Sequence, residues 1–153
     1  MDLGLDKVIN NDKEILFRLL QYSLYEESLY DGNEMNDKGL FDYKTFDSFF
    51  DNNDKCAYFI KEKNSNKLLG FVMIITNNKG YRIEDFMVIP KYRNKKIGKQ
   101  IAFMCFDKYK GYWEISPSLG SESAYIFWKK TIDEYTNNRN QYIDGKFIFN
   151  NNW

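Results

Sequence analysis

The stretch from Phe86 to Phe106, FMVIPKYRNKKIGKQIAFMCF, constrains the fold more than any other part of the chain. Its apolar first part has strand character and stops at Pro90, which cannot donate to a sheet ladder. Ile97, Ile101, Met104 and Cys105 then recur at helical spacing. The chain therefore passes from strand through a short basic turn into helix. A helix starting near Asn94 to Lys96 aims its first unpaired N–H groups back at the turn, and its dipole adds about half a positive charge there. Such an end binds anions, phosphates above all. Arg93, Lys95, Lys96 and Lys99 crowd it, although cations at that end oppose the dipole. An anionic ligand would resolve the conflict; solvated surface lysines are the competing explanation.

The 22 Lys and Arg balance the 22 Asp and Glu, so any anion site is local. A broad electrostatic footprint for nucleic acid or an anionic membrane is not expected. With 153 residues and 43% apolar content the chain suits one domain, residues 1–153, with a sizeable core. The N-terminal segment lacks a basic region followed by an apolar one, and no apolar run is long enough to span a bilayer, so a cytoplasmic protein is expected. Cys56 and Cys105 sit in apolar patterns and read as reduced, structural residues. The absence of histidine excludes Ser-His-Asp and Cys-His nucleophiles, His-ligated zinc and an imidazole base, and no metal is expected. Carboxylate, tyrosine, lysine, thiol or water remains for proton transfer.

Asn11 and Glu14 form a candidate capping box for a first helix whose Leu16, Leu19, Leu20 and Leu24 share a face and which should end near Ser28. Tyr43 to Phe50 suggests a short second helix. CAYFIKEK and LLGFVMIIT read as strands joined by a turn at NSNK, and the second is apolar on both faces, as a central strand would be. YRIEDFMVI is the next strand. After the basic turn and its helix come a strand at GYWEIS, a helix with Ala124, Tyr125, Trp128, Ile132 and Tyr135 on one stripe, and a strand at GKFIFNN. The order is roughly (β)ααβββαβαβ, a mixed α/β (α+β) domain with a mostly antiparallel central sheet flanked by helices.

Val88, Pro90 and the run Arg93-Asn94-Lys95-Lys96-Ile97-Gly98 resemble motif A of the GNAT superfamily of acyl-CoA-dependent N-acyltransferases, Arg/Gln-x-x-Gly-x-Gly/Ala opening a helix. SESAYIFWKKTI is similar to the family's next helix, usually Asn-x-x-Ala-x-x-Leu-Tyr, with Ser121, Ala124, Phe127 and Trp128 at those places. The likeness spans nearly the whole chain. It implies that acetyl-CoA binds with its pantetheine arm on the backbone of Met87 and Val88. Its pyrophosphate would lie on the N–H groups of Arg93, Asn94, Lys95, Lys96, Ile97, Gly98 and Lys99, and Ser121 and Trp128 would be further cofactor-binding residues. Lys96 replaces the first motif glycine; a positive φ there would cost about 1–2 kcal/mol. Trp128 replaces the tyrosine that often protonates the departing thiolate, and an indole is no usable acid. Tyr125, one turn earlier, is the candidate substitute; water is the other.

By the same resemblance a base belongs on the strand before Pro90. Glu84 lies four residues before Val88, so strict alternation puts both on one face and Asp85 on the other. A partly exposed glutamate paired with Arg82 or a lysine is the competing explanation. Glu26, Glu27, Asp31, Glu34, Asp37 and Asp42 fall between the first two helices, a region that in the family borders the acceptor cleft, and an acidic, Tyr-rich rim would suit a cationic amine. Polyamine, aminoglycoside, amino acid and protein lysine or N-terminus all stay open as small-molecule or peptide acceptors, and so does a homodimer. The implied activity is acetyl transfer to a primary amine. A CoA-binding sensor that has lost catalysis is the alternative, and Trp128 favours it.

Overall fold

The computed structural model describes residues 1–153. Its elements are β1 (Leu3–Lys7), α1 (Lys13–Asp31), α2 (Ser48–Asp51), β2 (Lys55–Glu62), β3 (Lys67–Asn77), β4 (Gly80–Val88), α3 (Ile97–Lys108), β5 (Tyr112–Ile115), α4 (Glu122–Thr136), β6 (Gln141–Ile143) and β7 (Lys146–Asn150). All seven strands form one sheet in the order β1-β2-β3-β4-β5-β7-β6. Every neighbouring pair is antiparallel except β4 and β5.

β3 is an interior strand, and its two faces feed separate cores. Val72 and Ile74 join Ile97, Ile101, Cys105, Trp113 and Ile132 on the face covered by α3 and α4. Phe71, Met73 and Ile75 join Leu16, Leu20, Phe46 and Phe49 on the face covered by α1 and α2. A strand buried on both faces gains nothing from polar alternation, hence its continuous apolar run. Cys105 is fully buried in the first core, and burial pushes its thiol up to about 12, so it is a packing residue.

α1 opens differently from the capping-box expectation. Asn10–Asp12 form a 3-10 turn, Asp12 occupies the cap position, and its side chain makes no capping bond. The helix also outruns Ser28 to Asp31, where Gly32 at φ 72° takes the left-handed conformation that ends helices. Glu26, Glu27 and Asp31 are thus helical residues, not part of a loop. The second helix shrinks from Tyr43–Phe50 to the four residues of α2. β6, which the sequence does not signal, pairs with β7 through a turn at Asp144 and Gly145.

Two irregularities in β4 shape everything that follows. Met73 lies opposite Asp85 and Ile74 opposite Ile83, so Glu84 is the extra residue of a β-bulge. Beyond the bulge β4 has lost its neighbour, because β5 pairs with it only at Tyr81–Trp113 and Arg82–Glu114. The sheet therefore splits between β4 and β5. Ile89 N–H donates to Leu69 O at 2.8 Å, and antiparallel alternation from that pair turns the polar groups of Met87 to Phe71 and those of Phe86 and Val88 to the split.

Candidate active site

A cavity of about 1190 Å³ opens at this split, large enough for a sizeable ligand. Ser23, Glu26, Glu27 and Tyr30 of α1 wall one side, Phe127, Trp128 and Glu134 of α4 the other, and Phe86–Val88 with the start of α3 lie between.

The start of α3 keeps the character that the sequence announces. Its first i→i−4 bond runs from Gln100 N–H to Lys96 O at 3.1 Å, and no side chain caps the end. The N–H groups of Ile97, Gly98 and Lys99 are consequently free of intrahelical partners, on residues that line the cavity. Asn94 at φ 61° and Lys96 at φ 64° both adopt the left-handed conformation. Lys96 thus holds a glycine's conformation with a branched Cα, at about 1–2 kcal/mol. Lys96→Gly is expected to raise stability by about 0.5–1 kcal/mol, less than the full strain because glycine loses more freedom on folding. A higher urea midpoint with unchanged slope is the readout, and a lower midpoint would show the strain to be absent.

The basic residues have distinct fates. Arg93 forms a two-pronged pair with Glu26, Nη1 and Nη2 donating at 3.0 and 2.8 Å, and its Nε donates to Val88 O at 2.8 Å. Lys99 pairs with Glu134 at 2.9 Å. Lys95 sits over the Tyr92 ring, 5.8 Å from its centroid, and is not part of the cavity wall. Asn94, Lys96, Ile97, Gly98, Ser121 and Trp128 do line it. Ser121 also caps α4, its Oγ accepting Ala124 N–H at 3.2 Å. Because Val88 O is taken by Arg93 and Met87 is paired with Phe71, the ladder groups left for a ligand are Val88 N–H and both groups of Phe86. The expected contacts on Met87 and Val88 shift accordingly.

Trp128 is buried on the cavity wall, held edge-on by Phe86 (5.5 Å, 70°) and Phe127 (4.9 Å, 74°). Tyr125 stands outside the cavity: its ring stacks on Phe147 at 5.6 Å and meets Tyr142 edge-on at 5.3 Å. Its packing is that of a core aromatic.

The bulge corrects the shared face inferred for Glu84 and Val88. Val88 belongs to the α3–α4 core, whereas Glu84 is the unpaired extra residue and its side chain accepts from Arg82 Nε at 3.2 Å near the surface. Asp85 is the buried member of the pair. Tyr43 donates to it at 2.7 Å, and burial, with Glu27 and Glu84 nearby, raises its carboxyl to about 7 despite that bond. Glu27 is raised too, first by burial and then by Asp31 and Glu26. The Tyr43 phenol is raised by burial and by Asp85, so it stays a donor. Two carboxyls raised above their ordinary range, Asp85 and Glu27, thus lie close together, and Glu27 lines the cavity.

A split sheet with an uncapped, glycine-containing helix start opening on one cavity defines a GNAT-type acyltransferase fold. A sequence profile described as "Acetyltransferase (GNAT) family" matches residues 21–123, and the chain belongs to that family. Among solved structures it is similar to spermidine N-acetyltransferase from Vibrio cholerae, crystallised with CoA and spermine, at 13% identity and TM-score 0.60, covering 98% of this chain and 96% of that one. An acetyltransferase from Thermus thermophilus superposes at TM-score 0.66 with 11% identity, covering 97% and 94%. Tetrahymena GCN5 does so at 0.61 with 11% identity, covering 97% and 96%. At such identities the likeness speaks for the fold alone. Curated protein sequences give no match. No helix is long and apolar enough to cross a membrane.

Proposed function

We propose that the protein transfers an acetyl or other short acyl group from acyl-CoA to a cationic primary amine by direct attack. The observation carrying this is that the uncapped α3 start and the open edge of β4 face one cavity. Those are the two backbone features that suit a pyrophosphate and an amide-bearing arm. The open N–H groups of Ile97, Gly98 and Lys99 then hold the phosphates, with the Arg93, Lys96 and Lys99 side chains around them; Ser121 and Trp128 line the same cavity, and Phe86 and Val88 align the arm. Glu27, with Tyr25 and Tyr30 beside it on the same wall, supports a cationic acceptor.

An alkylamine is mostly protonated at pH 7, with a pKa of about 10.4, and must shed a proton to attack. A carboxylate of β4 takes that first proton; attack then forms the C–N bond and breaks the C–S bond with its bonding pair going to sulfur, and the acylated nitrogen sheds its second proton to water. The sequence points to Glu84. The structure adds Asp85, raised to about 7, as a second candidate: a base poised near the working pH is the most effective, and it would act through one water. Water protonates the thiolate. Tyr125→Phe is accordingly expected to leave turnover unchanged, and Trp128→Tyr to leave it unchanged or raise it. A marked loss in a folded Tyr125→Phe protein would return the acid role to Tyr125.

The test is a screen of amines, polyamines first, with acetyl-CoA, following thiol release. Release that depends on an amine supports transfer. Tight acetyl-CoA binding with no release from any amine would favour a CoA-binding sensor.

A further inference from the structure

Two of the cations at the phosphate-binding end are already met by carboxylates of the protein itself. Glu26 reaches Arg93 from α1 across a sequence separation of 67, and Glu134 reaches Lys99 from α4 across 35. These are tertiary pairs from opposite walls, and all four residues line the cavity. Arg93 is fixed on its far side as well, by Val88 O, so its Nε and both terminal nitrogens are engaged. The pairing with Arg93 holds the Glu26 carboxyl below the usual carboxylate range, so Glu26 is ionised at neutral pH.

We propose that Glu26 and Glu134 set the affinity of acyl-CoA by competing with its phosphates for Arg93 and Lys99, an inference that rests on the CoA reading above. A phosphate approaching a cation already neutralised must displace the carboxylate or lie beside it, and either offsets much of the attraction. The consequence bears on turnover. Acyl-CoA and the CoA product carry the same phosphates, so stronger phosphate binding would hold both equally, add nothing to the chemical step and slow product release. Carboxylates at the loop weaken that uniform binding while leaving its geometry to the backbone N–H groups.

Titration calorimetry with CoA on the wild type, Glu26→Gln, Glu134→Gln and the double variant tests this, with pantetheine, which lacks the phosphates, as control. Each single change is expected to tighten CoA binding by about three- to tenfold at low ionic strength, a range suited to half-exposed charges, and the gain should shrink as salt rises. Pantetheine binding should not move. The melting temperature without ligand should stay level or fall slightly, because an ion pair is lost. That opposition of signs separates competition from a structural role, in which stability and affinity would fall together. Unchanged or weaker CoA binding in the variants, with the wild type binding CoA, overturns the inference alone. No CoA binding by the wild type or any variant overturns the functional reading and the inference with it.

Discussion

Asp85→Asn is expected to lower the turnover of acetyl transfer by about 10²–10⁴ with acetyl-CoA affinity nearly unchanged, the loss typical of removing a positioned base. Asparagine keeps the shape and can still accept the Tyr43 hydroxyl, but it takes no proton. In the wild type the rate should climb with pH through about 7 as Asp85 ionises, and the variant should lack that limb. Stability supplies a second, independent signal. Because burial raises Asp85 to about 7 in the fold, the native state keeps a proton that the unfolded chain sheds near the ordinary carboxylate pKa. Between those two values the native state binds more protons, so the group's contribution makes stability fall as pH rises. Asp85→Asn removes that loss. Its stabilising effect should be absent near pH 4 and reach about 2–4 kcal/mol above pH 7, measured by urea unfolding across the range. Glu84→Gln is the companion experiment. If it abolishes turnover while Asp85→Asn turns over at the wild-type rate, the proton goes to Glu84.

The placement of these two carboxylates, Glu84 on a bulge and Asp85 buried, marks where the sequence stops speaking. The strands from Cys56 to Val88, α3 with its basic start, and α4 are legible because their apolar periods are long and uninterrupted. The order of elements was therefore within reach, down to the mostly antiparallel sheet. A β-bulge has no such signature. One extra residue at Glu84 resets the alternation, and YRIEDFMVI would look the same without it. β6 escapes notice for a related reason: all three of its residues are exposed, so no burial pattern marks it. The asparagines that follow the last apolar run carry no burial signal, yet Asn151 is buried and ties α3 to Gly111, the residue before β5. Its Nδ2 donates to Phe106 O at 2.7 Å and its Oδ1 accepts Gly111 N–H at 2.7 Å.

The site divides the same way. The basic turn that opens α3 is a local feature, fixed by Pro90, the positive-φ residues Asn94 and Lys96 and the helix that follows, so a short stretch of sequence contains all of it. The partners of its cations are not local. Glu26 and Glu134 look like any surface glutamates until α1 and α4 are packed on either side of the loop. The placement of Tyr125 likewise depends on β6 and β7, which supply the two rings that hold it off the cavity.

Gly98→Asp is expected to abolish stabilisation by acetyl-CoA. A ligand that binds only the native state raises stability by about 2.7 kcal/mol at a hundredfold excess over Kd, and the wild type should show that gain in thermal or urea unfolding. Gly98 carries one of the N–H groups left open at the start of α3, and an aspartate there sets a negative charge beside the phosphates. The position is also sterically tight, for reasons unrelated to the ligand. A Cβ on residue 98 would lie 3.0 Å from Cε1 and 3.1 Å from Cζ of Phe127, whose ring packs across from α4. Gly98→Ala separates the two effects. It brings the same crowding without the charge, and the Phe127 ring can give by a few tenths of an ångström, so a substantial part of the acetyl-CoA stabilisation should survive. If alanine removes it as completely as aspartate, the displaced Phe127 and its neighbour Trp128, not the charge, account for the loss. If aspartate leaves acetyl-CoA binding untouched, the phosphates do not sit on the start of α3.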